Sequence, residues 1–163
     1  MKIRDRIKEL RRVPAAELRP NPKNWRTHPE RQRDALQGIL AEIGYADALI
    51  ARELPDGSLE LIDGHLRAET TPDETVPVLV LDVDEREAAK LLTVLDPLAG
   101  LAETNREQLD ALLREVETSN QAVAELLTSL AVASDLITAE APEVSLKSGF
   151  ETELFARCKG YWK

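Results

Sequence analysis

The sequence predicts a single α/β domain of the α+β type over about residues 7–100, with a small mixed sheet and packed helices. An α-hairpin over about residues 104–131 extends it. Two observations lead to this fold class. Short apolar runs alternate with segments whose apolar residues recur every three or four positions. Three of the helical segments follow a Thr/Asp-x-x-Glu pattern, which is typical of a capping box.

The first predicted helix covers about residues 29–43. Thr27 and Glu30 supply the first capping-box pattern, and Gly44 is typical of a helix C-terminus. The ten N-terminal residues fit either a helix face or the approach to a strand. Prolines punctuate residues 14–28 and predict an extended, turn-rich segment there.

Two short apolar runs on either side of Pro55-Asp-Gly57 predict a β-hairpin over residues 48–52 and 58–62. The run Asp63-Gly-His-Leu-Arg67 then ends the second strand and opens a short helix. Residues 76–83 are almost continuously apolar and β-branched, which predicts a central strand buried on both faces.

The second capping-box pattern, Asp84 to Glu87, predicts a helix that ends at Asp96-Pro97. The third, Thr104 to Glu107, opens the α-hairpin, whose second helix is capped near Asn120. The predicted organisation is therefore a domain over residues 1–100, a helical extension over residues 101–133, and a linker and tail over residues 134–163. No function is assigned to the tail.

Composition excludes several classes of protein. With 163 residues, 43% hydrophobic and 31% charged, the chain can bury a core. One cysteine, Cys158, and two histidines exclude a disulfide framework and a thiolate-rich metal site, and Cys158 is expected to be an ordinary thiol. Without an apolar run of about 20 residues or a secretory signal, we expect no membrane partner and a cytoplasmic location.

Charge is distributed unevenly along the chain. The net charge is −9, yet residues 1–33 hold eleven Lys or Arg against four acids, a local charge of +7. The other 130 residues therefore carry −16. Such a basic arm either contacts a polyanion, such as DNA or a nucleotide phosphate, or pairs with the acidic body.

The segment Leu61-Ile-Asp-Gly-His-Leu-Arg67 carries the clearest chemical signal. A strand that ends in Gly and passes into a helical turn presents backbone N–H groups that suit a phosphate. Arg67 lies within reach of the same phosphate and can bind it through its guanidinium. The alternative is that Arg67 is a surface ion-pair partner.

The order of several motifs over residues 7–97 resembles the ParB/sulfiredoxin superfamily, in particular the ParB-like nuclease (ParB N-terminal) domain. The run Asp-Gly-His-x-Arg is similar to its phage-type and methylase-associated branch. The matching pieces are Leu18-Arg-Pro-Asn-Pro22 with Arg26, Ile43-Gly44, Leu61-Ile-Asp-Gly64, Arg67-Ala68 and Val76-Pro-Val78.

The resemblance implies a ParB/sulfiredoxin-like fold that binds CTP or ATP, with Mg²⁺ as an accompanying ion. The phosphates would lie on Gly64, His65, Leu66 and Arg67, joined by Arg26. His65 occupies the position of the sulfiredoxin catalytic Cys, which excludes sulfinic acid reduction. Asp63 either holds Mg²⁺ or caps the following turn. The implied role is an accessory domain of a DNA-modification, phage or mobile-element system.

Two other classes of function stay open. One is an enzyme of the same superfamily, either a nuclease or a small-molecule kinase in which Glu30 is the general base; the capping box is the alternative role for Glu30. The other is a non-catalytic module whose acidic α-hairpin docks a DNA methyltransferase, another phage protein or a second copy of the chain as a homodimer. Burial of the hairpin's apolar stripes within the protein is the alternative to docking.

Overall fold

The computed structural model describes residues 3–137, which form a mixed α+β fold with a four-stranded sheet and five α-helices. This confirms the predicted fold class. The described residues group into two compact units, one of residues 3–29 and 45–102 and the other of residues 30–44 and 103–137. Cys158 and most of the predicted tail lie outside the described residues, and the predicted domain boundaries stay predictions.

The first unit holds the sheet, whose strand order is β1-β4-β2-β3. The hairpin strands β2 and β3 are antiparallel, β2 and β4 are parallel, and β1 and β4 are antiparallel. The central position predicted for the long apolar run is therefore confirmed, since β4 lies between β1 and β2. The predicted burial on both faces is wrong in part, because Leu79 and Leu81 on the second face of β4 are only half-buried. The strands are β1 (Ile7–Pro14), β2 (Leu49–Glu53), β3 (Leu59–Asp63) and β4 (Thr75–Leu81).

The core of this unit lies on one face of the sheet. Alternate residues of β4 are fully buried, as are Leu49 and Ala51 on β2 and Leu61 on β3. This period of two follows from the pleat, which directs successive side chains to opposite faces. The buried residues of β4 on this face are Val76, Val78 and Val80.

Two helices belong to this unit, α2 (His65–Thr70) and α3 (Glu85–Gly100). The predicted capping box at the start of α3 is present, since Asp84 accepts from the Glu87 N–H and Glu87 accepts from the Asp84 N–H. The predicted end of α3 is wrong, because the helix continues through Pro97. A proline in the last turn removes a single hydrogen bond, and its φ suits a helix.

The second unit contains α1 (Glu30–Glu42), α4 (Arg106–Glu115) and α5 (Gln121–Ala133), with α5 packed along α1. The helices pack closely because Gly38 of α1 has no Cβ: an added one would lie 2.5 Å from the Asn120 side chain and 2.7 Å from Val123 Cγ2. Glu42 at the end of α1 accepts from the backbone N–H groups of Ser119 and Asn120. The two helices are thus joined at the start of α5.

Two predicted helix starts differ from the structure. α4 is capped by Asn105, whose side chain accepts from the Gln108 N–H, and not by Thr104. Asn is among the strongest N-cap residues, so a shift by one position is favourable. α1 begins at Glu30, which places Glu30 at the first helical position and not at the third that a capping box from Thr27 requires. The predicted cap of α5, Asn120, is confirmed.

Candidate functional site: the Gly64–Arg67 turn

Gly64 joins β3 to α2 with φ +89°, in the left-handed region that favours glycine. A Cβ on Gly64 would lie 2.7 Å from Leu49 Cγ, and Leu49 is fully buried in the sheet. The glycine is therefore required by the turn and by the packing beneath it. Its backbone conformation turns the chain directly from the strand into α2.

His65, the first residue of α2, is only 6% exposed. Its Nε2 accepts a hydrogen bond from the Asn21 backbone N–H at 3.1 Å, so the neutral ring carries its proton on Nδ1. Burial is the largest cause that lowers the pKa of His65 below 6.5, and nearby His28 adds to this lowering while Asp63 opposes it. His65 thus ties the Pro-rich segment to the turn as a neutral acceptor.

The Arg67 guanidinium contacts two carboxylates. Nη1 lies 2.6 Å from Asp47 Oδ2, and Nη2 lies 2.8 Å from Asp63 Oδ2. Its side chain is 16% exposed. In this structure Arg67 is therefore an ion-pair partner, as the alternative interpretation of the sequence had it, while its contact with phosphate stays a prediction.

Asp63 does not cap α2, because the N-cap residue is Gly64 and the cap has no side-chain hydrogen bond. The predicted capping role of Asp63 is wrong, since its carboxylate is directed to Arg67 four residues later. Leu66 is buried. Within residues 3–137, no three His, Cys, Asp or Glu side chains come together at metal-binding distance.

Arg26 contacts α3. Its Nε lies 2.6 Å from Asp96 Oδ2 as an ion pair without hydrogen-bond alignment, and its guanidinium carbon lies 4.7 Å from the centre of the Trp25 ring. Arg26 therefore does not share a carboxylate with Arg67, which pairs with Asp47 and Asp63. Glu30, the predicted general base, belongs to the second compact unit, where it is exposed at the start of α1.

The basic N-terminal segment is largely paired within the first unit. Seven of its cations lie within 4 Å of an acidic side chain of the same unit, which agrees with the interpretation that the arm pairs with the body. Contact with DNA stays a prediction. The pairs are Arg4 and Arg6 with Glu87, Lys8 and Arg11 with Glu53, Arg19 with Asp56, Lys23 with Glu85, and Arg26 with Asp96.

Sequence reasoning missed Asp47 and Asn21. Asp47 is twenty residues from Arg67 along the chain, so no helical spacing connects them. The hairpin register supplies a signal, because Ile50 pairs with Asp63 and so brings the residues before β2 beside the end of β3. Asn21 contributes a backbone N–H, which any residue other than proline supplies.

No protein-family profile and no curated protein matches the chain. Among solved structures, it is similar to the C-terminally truncated chromosome-partitioning protein ParB from Caulobacter crescentus complexed with CTP-γ-S. That match has 20% identity and a TM-score of 0.57, and it covers 80% of this chain and 88% of the other.

Two further structures are also similar at 20% identity. The same Caulobacter crescentus protein complexed to the centromeric parS site gives a TM-score of 0.45 over 76% of this chain and 68% of that one. A Pnob8-like ParB-N domain gives a TM-score of 0.44 over 82% of this chain and 51% of that one.

None of the helices within residues 3–137 is long and apolar enough to cross a membrane. On the evidence of the ParB–CTP-γ-S match, the described chain has a ParB-like fold, as its motif order predicted.

Proposed function

We propose that the protein is a nucleotide-binding domain of ParB type, which binds CTP or ATP with the phosphates on the Gly64–Arg67 turn. The observation that carries the proposal is the placement of Arg67. The Gly64 turn holds the guanidinium beside the end of a sheet strand, in a fold shared with a ParB that was crystallised with CTP-γ-S. A guanidinium fixed in this way binds phosphate oxygens in defined directions.

The residues of the turn have separate tasks in this proposal. Gly64, His65 and Leu66 offer backbone N–H groups, while Arg67 supplies the charge. Mg²⁺ is commonly held by one or two carboxylates together with substrate phosphates, and Asp63 is the carboxylate that we assign to it. Arg26 reaches the nucleotide only if it leaves Asp96, which its partial exposure permits.

The test is calorimetric titration with CTP, ATP and GTP in the presence of Mg²⁺. We expect saturable binding of one or more nucleotides by the wild type, and its loss in Arg67→Ala. The matched control is Arg19→Ala, which removes another Arg–Asp pair of the same unit. That pair lies at the Asp56 turn, at the other end of β3 from Gly64, about 16 Å away by the rise of a strand. No saturable binding, or equal binding by Arg67→Ala, would refute the proposal.

The wider setting remains a proposal as well. An accessory role in a DNA-modification, phage or mobile-element system, a DNA or methyltransferase partner, and a homodimer have no support from the described contacts. The kinase alternative has a direct test, in which phosphate transfer from labelled ATP to free amino acids is compared between wild type and Glu30→Gln. Equal rates would remove Glu30 from the chemistry.

A further inference from the structure

The two carboxylates on Arg67 differ in their exposure to solvent. The Asp47 side chain is 77% exposed, whereas that of Asp63 is 36% exposed and belongs to the strand that leads into the turn. Arg67 Nε lies on the Gly64 side, 3.3 Å from the position that a Gly64 Cβ would take. Of the two terminal nitrogens of Arg67, Nη1 is therefore the one whose carboxylate partner is more exposed to solvent.

The segment that carries Asp47 is attached to α2. The Tyr45 hydroxyl is hydrogen-bonded to Thr71 Oγ1, and Thr71 Oγ1 lies 2.9 Å from the Arg67 carbonyl oxygen, to which it donates. Asp47 Oδ1 accepts from the Ala48 N–H at 2.7 Å, which leaves Oδ2 for Arg67. These bonds hold the Asp47 carboxylate at Nη1 without burying it.

We propose that Asp47 sets the affinity of the phosphate site: its carboxylate occupies Nη1 of Arg67 until a nucleotide phosphate replaces it, while Asp63 stays on Nη2 and orients the guanidinium. This inference rests on the proposed nucleotide binding. Both anions use the same N–H donors, so the fraction of molecules with the Asp47 contact open scales the apparent affinity. The guanidinium also lowers the pKa of Asp47, which keeps this competitor charged at neutral pH.

The size of the effect follows from the exposure of the pair. Exposed ion pairs contribute little to stability, and removing one competitor of this kind corresponds to about a 2- to 5-fold change in affinity. Asp47→Asn is a mild substitution, because its side-chain oxygen still accepts from the Ala48 N–H. Asp63→Asn has the opposite expected sign, since Arg67 then loses the partner that orients it and Mg²⁺ loses the carboxylate assigned to it.

The experiment is calorimetric titration of CTP and ATP into wild type, Asp47→Asn, Arg67→Ala and the double variant. The matched control is Asp56→Asn, which changes the net charge equally and removes the carboxylate that pairs with Arg19. We expect Asp47→Asn to bind about 2- to 5-fold more tightly than wild type, with Asp56→Asn unchanged and the gain absent when Arg67 is already Ala.

The outcomes separate the two proposals. If wild type binds through Arg67 but Asp47→Asn binds equally or more weakly, the competitor role is wrong and the proposed function stands. A gain that persists in the Arg67→Ala background is a general charge effect and also overturns it. If Asp47→Asn binds nucleotide and the wild type does not, the competitor role is supported. The proposed nucleotide binding by the wild type is then wrong. If neither protein binds, both proposals fail.

Discussion

Substitution of Gly64 by alanine tests whether the turn depends on glycine for both its backbone and its packing. A left-handed conformation costs an L-residue about 1–2 kcal/mol. The added Cβ would lie 2.7 Å from Leu49 Cγ and 3.2 Å from Leu49 Cβ, and Leu49 is fully buried. Such overpacking costs about 1–3 kcal/mol. We therefore expect Gly64→Ala to lower the unfolding free energy by about 2–5 kcal/mol.

Gly57 provides the matched control. It lies in the hairpin turn with φ +82°, and no atom lies within 4 Å of an added Cβ. Gly57→Ala therefore incurs only the backbone cost of about 1–2 kcal/mol, and the difference between the two variants isolates the clash with Leu49. Urea unfolding followed by circular dichroism and by fluorescence measures both values and tests for a single transition.

A second set of variants tests the contact between residue 64 and Leu49. Leu49→Ala is destabilising alone, because it empties a buried site, but it also makes room for the alanine at position 64. We expect the cost of Gly64→Ala to be smaller in the Leu49→Ala background, which a double-mutant cycle measures. Equal stability of Gly64→Ala and Gly57→Ala, together with additive costs in the cycle, would refute the packing explanation.

Three further predictions concern buried and charged contacts. His65→Ala leaves the Asn21 N–H unpaired and should cost at least about 1–3 kcal/mol in urea unfolding. Since burial lowers the pKa of His65 below 6.5, wild type should lose stability as the pH falls through 6.5, and the variant should lack this step. Arg6 and the Asp84 N–H lower the pKa of Glu87 from 4.5 to about 2, so its contribution is complete above pH 4.5 and lost as the pH falls toward 2. Glu87→Gln should lower the Tm at pH 7 and flatten that acid dependence. Gly38→Ala should destabilise by about 1–3 kcal/mol, despite the higher helix propensity of alanine, because of the contact with α5.

Each of these has a result that would contradict it. If the stability of His65→Ala depended on pH between 5 and 7 in the same way as that of the wild type, His65 would not be the group whose protonation lowers the stability. The same acid transition in Glu87→Gln and wild type would show that other carboxylates cause it. Gly100→Ala is the control for Gly38→Ala, because no atom lies near an added Cβ there. Equal effects of the two glycine substitutions would exclude close packing as the cause.

Local sequence patterns predicted most of the secondary structure. The Asp84 capping box, the Asn120 cap and the turn at Pro55-Asp-Gly57 are present in the structure, because each depends on residues within four positions of one another. The sequence does not decide the secondary structure of the first residues, since Ile3, Ile7 and Leu10 fit a helix face while Leu10 to Val13 fit the start of a strand. The edge strand β1 exists through its pairing with β4, which no local pattern contains.

In the candidate site too, some features follow from local sequence and others depend on tertiary structure. The sequence by itself determined the strand–Gly–helix turn and the presence of Arg67 three residues after Gly64. Only the tertiary structure decided that Asp47 contacts Arg67, that His65 accepts from Asn21, and that α1 packs along α5. These contacts join residues 20 positions apart for Asp47 and Arg67, 44 for Asn21 and His65, and 78 for Glu42 and Asn120. Their meeting depends on strand register and helix packing. Sequence periodicity reports which face of an element is buried, and it does not report which distant element covers that face.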